Sequence, residues 1–510
     1  MGTARTRTAA LTGIDARLID VEADIASGLP ATIVEGLPDT ALREARDRIR
    51  AAIVNSGEQW PGSKITVSLY PVRLTKRGSA FDLAIAIAIM TANGDLPAPP
   101  DGTTFLAELG LDGRLRPVPG VLPAALAAAE AGTGTIVVAA ASQAEAALVP
   151  GVTVIAAGSL AEVAAWLRGG PPPHPEPPDP GRGDGPAPAR PQPDLADVRG
   201  QAQARRALEI CAAGGHHLSL LGPPGAGTTM LAERLPGILP PLETAAAHEV
   251  TSIRSVAGAL APGTGLITDP PFCAPHHTAS KPAIIGGGSG LIRPGVVSLA
   301  HRGVLFLDQA PEFHRDVLDA LRQPLESGKV VIARAAAQAT FPARFTLVLA
   351  ASPCPCAATA VHGEAECRCS PAVRRRYLGR LSGPLMDRVD VKVSLRPASR
   401  EDLPGRVPGE RSAVVAQRVA AARERSAARL AGTPWRLNAE IPGTVLRRCF
   451  LPAAGALERL EWAVELGQVS ARGAEQIVKV AWSLADLAAK DRPGSAEIDL
   501  AIGLWLGVAQ

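Results

Sequence analysis

The sequence has almost no net charge, few cysteines and no long apolar run, and each shortage removes a class of function. Lys+Arg at 52 against Asp+Glu at 49 leaves only +3 over 510 residues. The chain as a whole therefore has no strong field for nucleic acid, and any such surface is a local patch. Seven cysteines are too few for a disulfide scaffold at this length. The longest apolar stretches, such as residues 81–92, fall short of the roughly 18–20 residues a spanning helix needs. Near the N-terminus, Asp15, Arg17 and Asp20 interrupt the apolar core that a secretory signal requires. The expected location is the cytoplasm.

What is present is material for several globular cores. Hydrophobic residues make up 46% and charged residues 20%, which excludes intrinsic disorder as the dominant state. At roughly 100–200 residues per domain, the length corresponds to about three domains. Residues 169–193 are dominated by proline and glycine, which block helix and ladder alike and mark a linker. Before it, Asp39 or Thr40 opens a helix through Arg50 that stops near Asn55-Ser56-Gly57, and residues 83–90 read as a buried helix. After it, short β-like runs at 218–221, 304–307 and 345–350 alternate with helical patterns, as in a parallel sheet covered by helices. Beyond about residue 397 the β-like runs stop and Ala/Arg/Leu-rich helical segments follow, the first closing at Gly432-Thr433-Pro434. The expected organisation is 1–168, linker 169–193, 194–397 and a helical 398–510.

The chemistry concentrates after the linker. The run at 218–221 leads into Gly222-Pro223-Pro224-Gly225-Ala226-Gly227-Thr228-Thr229 and then a helical Met230-Leu-Ala-Glu. Strand, glycine-rich turn and helix start make a nest of backbone N–H groups suited to phosphate. The phosphate-loop pattern G-x-x-x-x-G-K-[ST] is met at Gly222, Gly227 and Thr229, while Thr228 stands where Lys reaches the β/γ-phosphates. A plain strand-to-helix turn is the alternative for the loop alone. A second strand ends in Asp308, the arrangement that places a carboxylate beside the Mg²⁺ of a bound triphosphate. Gln309 follows it, isosteric with a water-polarising Glu but unable to accept a proton.

These motifs, with Ala274-Pro-His-His-Thr-Ala-Ser280, residues 285–288, 303–313 and 318–327, and Leu381-Ser-Gly-Pro-Leu-Met-Asp-Arg388, resemble the ComM/YifB family of magnesium-chelatase-like AAA+ proteins over nearly the whole chain. The resemblance implies a Lon-protease-like α+β N-terminal domain, an AAA+ α/β domain with a parallel sheet and a C-terminal helical domain. It implies association with DNA recombination in natural transformation, and ATP and Mg²⁺ bound at residues 222–230 with Thr229 and Asp308 as Mg²⁺ ligands. It also implies Arg388 as an arginine finger offered to a neighbouring subunit and Arg472 as the sensor of the helical domain. Three positions depart from the family pattern: Thr228 for Lys, Gln309 for Glu and Ser352 for the Asn that orients water. All three bear on hydrolysis. The expectation is a hexameric ring acting on DNA with turnover impaired. The alternatives are a non-hydrolysing regulatory or assembly subunit beside an active paralogue, and a motor inserting metal into a tetrapyrrole.

A protease reading of the N-terminal region fails for want of a base. Ser79 stands where a Lon-like nucleophile would, but residues 113–123 offer no Lys, and Ser79 reads as a helix-start residue. Cys354-Pro-Cys356 and Cys367-Arg-Cys369 form two C-x-C pairs able to surround one tetrahedral Zn²⁺, with His362 as a substitute ligand; four reduced thiols in a loop are the alternative. Arg374-Arg375-Arg376-Tyr377 and Arg380 offer phosphate contact or a solvated, subunit-facing surface. His276 and His277 read either as a contact to DNA or a neighbour, or as part of a local hydrogen-bond network.

Overall fold

The computed structural model describes residues 2–35, 39–71, 78–132, 134–173, 193–288, 292–334, 337–356, 367, 369–396 and 409–508. Most of the Pro/Gly-rich linker, and His362, lie outside them. The first sheet begins with a hairpin, β1 (Gly2–Thr12) and β2 (Asp15–Ala26), paired from Gly2↔Ile25 to Thr12↔Asp15. β2 buries Ile19, Val21, Ala23 and Ile25 at alternate positions, the period of a strand with one face in a core. With β3 (Ala31–Glu35), β4 (Lys64–Tyr70), β5 (Thr103–Leu106), β6 (Thr135–Ala139) and β7 (Thr153–Ala157) it forms a seven-stranded sheet ordered β3-β4-β2-β1-β5-β6-β7.

Helix α1 (Asp39–Asn55) and helix α2 (Asp82–Asn93) follow the sequence expectation. Leu83 through Met90 are all buried, so α2 is apolar on every side, and Gly94 ends it in the left-handed conformation at φ 85°. Ser79 departs from its expected role. The helix starts at Asp82, and the Ser79 hydroxyl donates to the Glu108 carboxylate instead of accepting a helix N–H. Asp82 itself is buried and paired with Arg48 at 2.6 and 3.0 Å. Burial, opposed by Arg48, pushes the Asp82 carboxyl up to about 6.

The second sheet is five-stranded and parallel throughout. Its strands are β8 (Leu218–Leu221), β9 (Phe272–Cys273), β10 (Val304–Leu307), β11 (Thr346–Ala351) and β12 (Val391–Ser394), in the order β9-β10-β11-β8-β12. The three β-like runs read from sequence are β8, β10 and β11, the last shifted by one residue. Being buried on both faces, β10 reads as a continuous apolar run. The two sheets meet through the β1–β2 hairpin. Leu11 and Ile14 pack against the core that includes Ile332 and Ala339, which belong to a second hairpin, Lys329–Arg334 with Ala337–Pro342. A Cβ on Gly13, at φ 70°, would lie 2.2 Å from the Thr340 carbonyl oxygen, so this approach requires glycine.

The C-terminal part is helical. Its main helices are α3 (Ser412–Arg429), α4 (Ala471–Leu487) and α5 (Ser495–Leu506). α3 stops just before the turn expected at Gly432, where φ is 79°. A buried polar network fastens this region to the sheet. His216 Nε2 meets Ser483 Oγ at 2.8 Å, Asn438 Nδ2 donates to Ser483 Oγ at 3.0 Å and to Asp486 at 2.8 Å, and Arg429 donates twice to Asp486 at 2.5 and 2.7 Å.

Asp486 is 1% exposed, so Asp486→Ala strands Arg429 and Asn438. Removing one member of a buried charged pair costs about 3–5 kcal/mol. Denaturant unfolding of the variant should show a loss of that size; a loss under about 1 kcal/mol, the worth of an ordinary surface pair, would show that the network is solvated.

Candidate functional site

The phosphate loop leaves the sheet where β8 ends. Gly222 N donates to the Ala351 carbonyl at 3.0 Å, and a Cβ on Gly222 would lie 2.8 Å from Leu395 Cβ. The loop can turn away there only as glycine. Gly225 and Gly227 take φ 80° and 92°, and no atom lies within 4 Å of where their side chains would be. The loop therefore presents open space rather than packed side chains. Pro224 is exposed, Pro223 half-buried, and Ala226 anchors the loop in the core. Thr228 begins the short helix Thr228–Arg234, with Thr229 and Met230 exposed beside it.

Two neighbouring strand ends complete the cleft, at the carboxyl edge where open parallel sheets bind ligands. Asp308 follows β10, and Thr229 Oγ1 lies 3.4 Å from its Oδ2. Gln309 sits at φ 52°, unusual for a residue other than glycine, and its N–H donates to Asp308 Oδ1 at 2.9 Å. Ser352 follows β11 and is half-buried.

Arg388 and Arg472 meet elsewhere. Arg388 is 7% exposed and donates to the Pro384 carbonyl and the Glu326 carboxylate. Arg472, in the first turn of α4, lies 3.8 Å from the same carboxylate. Arg322 is four residues before Glu326 on one helical face. Burial, Arg472 and Arg322 together lower the Arg388 pKa. Arg388 Nε is buried with no partner among the described residues. Neither Arg388 nor Arg472 hydrogen-bonds the described phosphate loop. Glu326 lies in the segment 318–327 that carries the family resemblance, but nothing in the sequence pairs it with Arg388 or Arg472.

The sulfurs of Cys354, Cys356, Cys367 and Cys369 all lie within 4.8 Å of one another. Cys354 is 3.2 Å from Cys356 and 3.3 Å from Cys367, and Cys356 is 3.4 Å from Cys367. A tetrahedral Zn²⁺ about 2.3 Å from each thiolate would hold them about 3.8 Å apart, so a small opening of the cluster admits the ion. Burial and its two sulfur neighbours push the Cys354 thiol up to about 12, while hydrogen bonds from the Cys369 backbone and from neighbouring thiols bring Cys367 down to about 6.

Residues 194–403 match the family described as magnesium chelatase, subunit ChlI; residues 21–142 match subunit ChlI of Mg-chelatase; and residues 409–504 match its C-terminal part. An uncharacterized Mycobacterium tuberculosis protein is 48% identical over 98% of both chains. YifB of Escherichia coli is 42% identical over 95% of this chain and 93% of its own. The competence protein ComM of Haemophilus influenzae is 40% identical over 93% of this chain and 92% of its own. The chain belongs to the ComM/YifB family. The fold is that of a magnesium-chelatase-like AAA+ protein.

A nucleotide with Mg²⁺ fits the residues this family member carries. The glycines leave room for phosphate oxygens, and Thr229 and Asp308 offer a hydroxyl and a carboxylate at one point. The thiol cluster fits a metal as well. It ties the end of β11, next to Ser352, to Cys369 and Ser370, the cap of the helix Pro371–Leu378. Protein prepared without chelator should carry close to one Zn²⁺ per chain, lost in Cys354→Ser with Cys356→Ser, because the metal alone compensates four thiolates in contact. Elemental analysis finding no zinc would return the cluster to free thiols.

Proposed function

We propose that this chain is an ATP-binding AAA+ subunit that closes into a hexameric ring, acts on DNA in recombination and turns ATP over poorly. The observation that carries the reading is the division within one cleft. The backbone cradle of residues 222–229 and the Thr229–Asp308 pair are intact, whereas Thr228, Gln309 and Ser352 lack the groups that drive hydrolysis. Affinity here rests on backbone N–H groups and loop shape, which side-chain replacement at position 228 does not alter. Bound Mg²⁺ would neutralise phosphate charge. Turnover needs a base, and losing one costs about 10²–10⁴ in rate. The reading of DNA as substrate rests on the resemblance to the ComM/YifB family, whose Haemophilus member is named a competence protein.

A regulatory subunit serving an active paralogue is the second reading, favoured by the arginines. Arg388 and Arg472 share the carboxylate Glu326, and the charge of Arg322 also acts on Arg388. This local excess of positive charge, with an unpaired Arg388 Nε, suits a phosphate presented by a neighbouring subunit. Such a seam is heterologous and closes by rotation. The fused N-terminal sheet argues against a metal-insertion motor.

Thr228→Lys combined with Gln309→Glu should raise ATP hydrolysis more than either change alone, since Lys positions the γ-phosphate that Glu-polarised water attacks. A double variant as inert as the parent would refute this assignment or move the weight to Ser352. Arg388→Ala should weaken ATP-dependent assembly and leave each subunit folded. Light scattering decides it: a parent chain that stays monomeric at micromolar concentration with ATP and Mg²⁺ removes the ring.

A further inference from the structure

Beside the thiol cluster lies an open cleft of about 430 Å³ that the nucleotide site does not use. One wall is the helix Pro371–Leu378 and its exit, which supply Arg376 and Arg380 to the cleft. Four residues apart, they share one side of that turn. His314 and Arg315 form the opposite wall. Two carboxylates moderate the charge: Arg380 donates to Glu312 at 3.1 Å, and Arg315 lies 3.6 Å from Asp319. Arg376 and its neighbours Arg374 and Arg375 are exposed, and no described carboxylate forms an ion pair with any of the three. Tyr377, 6% exposed, plugs the helix into the domain, so these guanidiniums stand on a fixed support.

A second observation adjoins the first. His276 and His277 have ring centroids 4.1 Å apart at 34°, and His277 meets the edge of Phe313, a cleft-lining residue, at 6.5 Å. The His276 ring is exposed and held by Thr278 Oγ1 at 2.8 Å. An oriented, exposed π-face joined through His277 and Phe313 to a cleft whose wall helix carries the exposed guanidiniums of Arg374, Arg375 and Arg376 combines the two features single-stranded nucleic acid uses, stacking for bases and charge for phosphates. A duplex buries its base faces and could use only the second.

We propose that Arg374, Arg375, Arg376 and Arg380 track the backbone of a single DNA strand, with one phosphate seated in the cleft and a base stacked on His276. This rests on the reading that the protein acts on DNA, and it names the surface and the strand form. Each phosphate neutralised on a single strand contributes about 0.7 to the slope of log affinity against log salt. A stacked base is worth about 5–150-fold in affinity.

The test is fluorescence anisotropy of a labelled 30-nucleotide oligothymidylate and of a duplex of equal length. Both are titrated with the full chain from 50 to 200 mM NaCl, with and without ATP. The variant Arg374→Ser, Arg375→Ser, Arg376→Ser should lower the single-strand slope by about 2 and the affinity by about tenfold or more. His276→Ala should weaken single-strand binding at least fivefold, leave its salt slope unchanged and leave the duplex unaffected. Unaltered thermal unfolding certifies that both variants are folded. If the parent binds the oligonucleotide and the triple variant binds it with the same slope and affinity, this surface is wrong while the DNA reading stands. A triple variant that loses ATP-dependent assembly instead identifies the helix as a subunit seam and overturns the proposal. A parent chain that binds neither DNA in either nucleotide state overturns both.

Discussion

A four-residue strand sets the geometry of the nucleotide cleft. Leu218–Leu221 is hydrogen-bonded on both sides by parallel neighbours, with Leu218 opposite Val348 and Val391, and Leu221 opposite Ala351 and Ser394. A slip of one residue would turn Leu218 and Leu220, both fully buried, to the opposite face of the sheet and put Ser219 into the core they fill. It would also carry Gly222 away from Leu395, the contact that forces the loop to leave as glycine. Because the neighbouring pair Leu307↔Leu349 is in register with the same ladder, Asp308 arrives beside Thr229 without any loop searching for it. The cleft is thus a consequence of strand register, with side-chain chemistry added at its rim.

That separation explains how a phosphate loop can lose its lysine and keep its shape. The conformations of Gly225 and Gly227 and the bond from Gly222 to Ala351 involve backbone alone. Gln309 likewise holds the left-handed turn and the N–H to Asp308 that a glutamate there would hold, since both depend on its main chain. What differs is charge and basicity. In the proposed reading, these two departures, together with Ser352 in place of a water-orienting Asn, uncouple holding a triphosphate from breaking it.

The sequence made visible what is contiguous. Residues 222–229, the strand ending at Asp308, and the two C-x-C pairs each fit within a short window, where spacing reports geometry directly. The buried helix at 83–90 was legible because every position in it is apolar. Ser79 misleads from sequence, since a serine ahead of an apolar run is also how a capped helix begins; its actual acceptor, Glu108, lies 29 residues on. Glu326 stayed hidden for the same reason at longer range, standing 62 residues from Arg388 on a helix whose pattern is that of any half-exposed surface.

The same long-range pairing bears on how Arg388 and Arg472, the proposed finger and sensor, are connected. Arg388 stands two residues before Asp390, whose Oδ2 lies 3.5 Å from His216 Nδ1, and His216 Nε2 reaches Ser483 on α4. Arg472 opens that same helix. Asp390, His216 and Ser483 repeat the order of a hydrolytic triad, but Ser483 and His216 are wholly buried, and a hydroxyl that no substrate can reach is a strut. It links α4 to the segment that carries Arg388, while Glu326 holds both arginines from the other side. If Arg388 acts as proposed, moving it toward a neighbour's phosphate leaves Glu326 beside Arg472, and because the Glu326 side chain is 51% exposed no buried carboxylate is abandoned. The larger penalty in breaking an ion pair comes from the partner left behind; an exposed carboxylate that keeps a second guanidinium makes that penalty small.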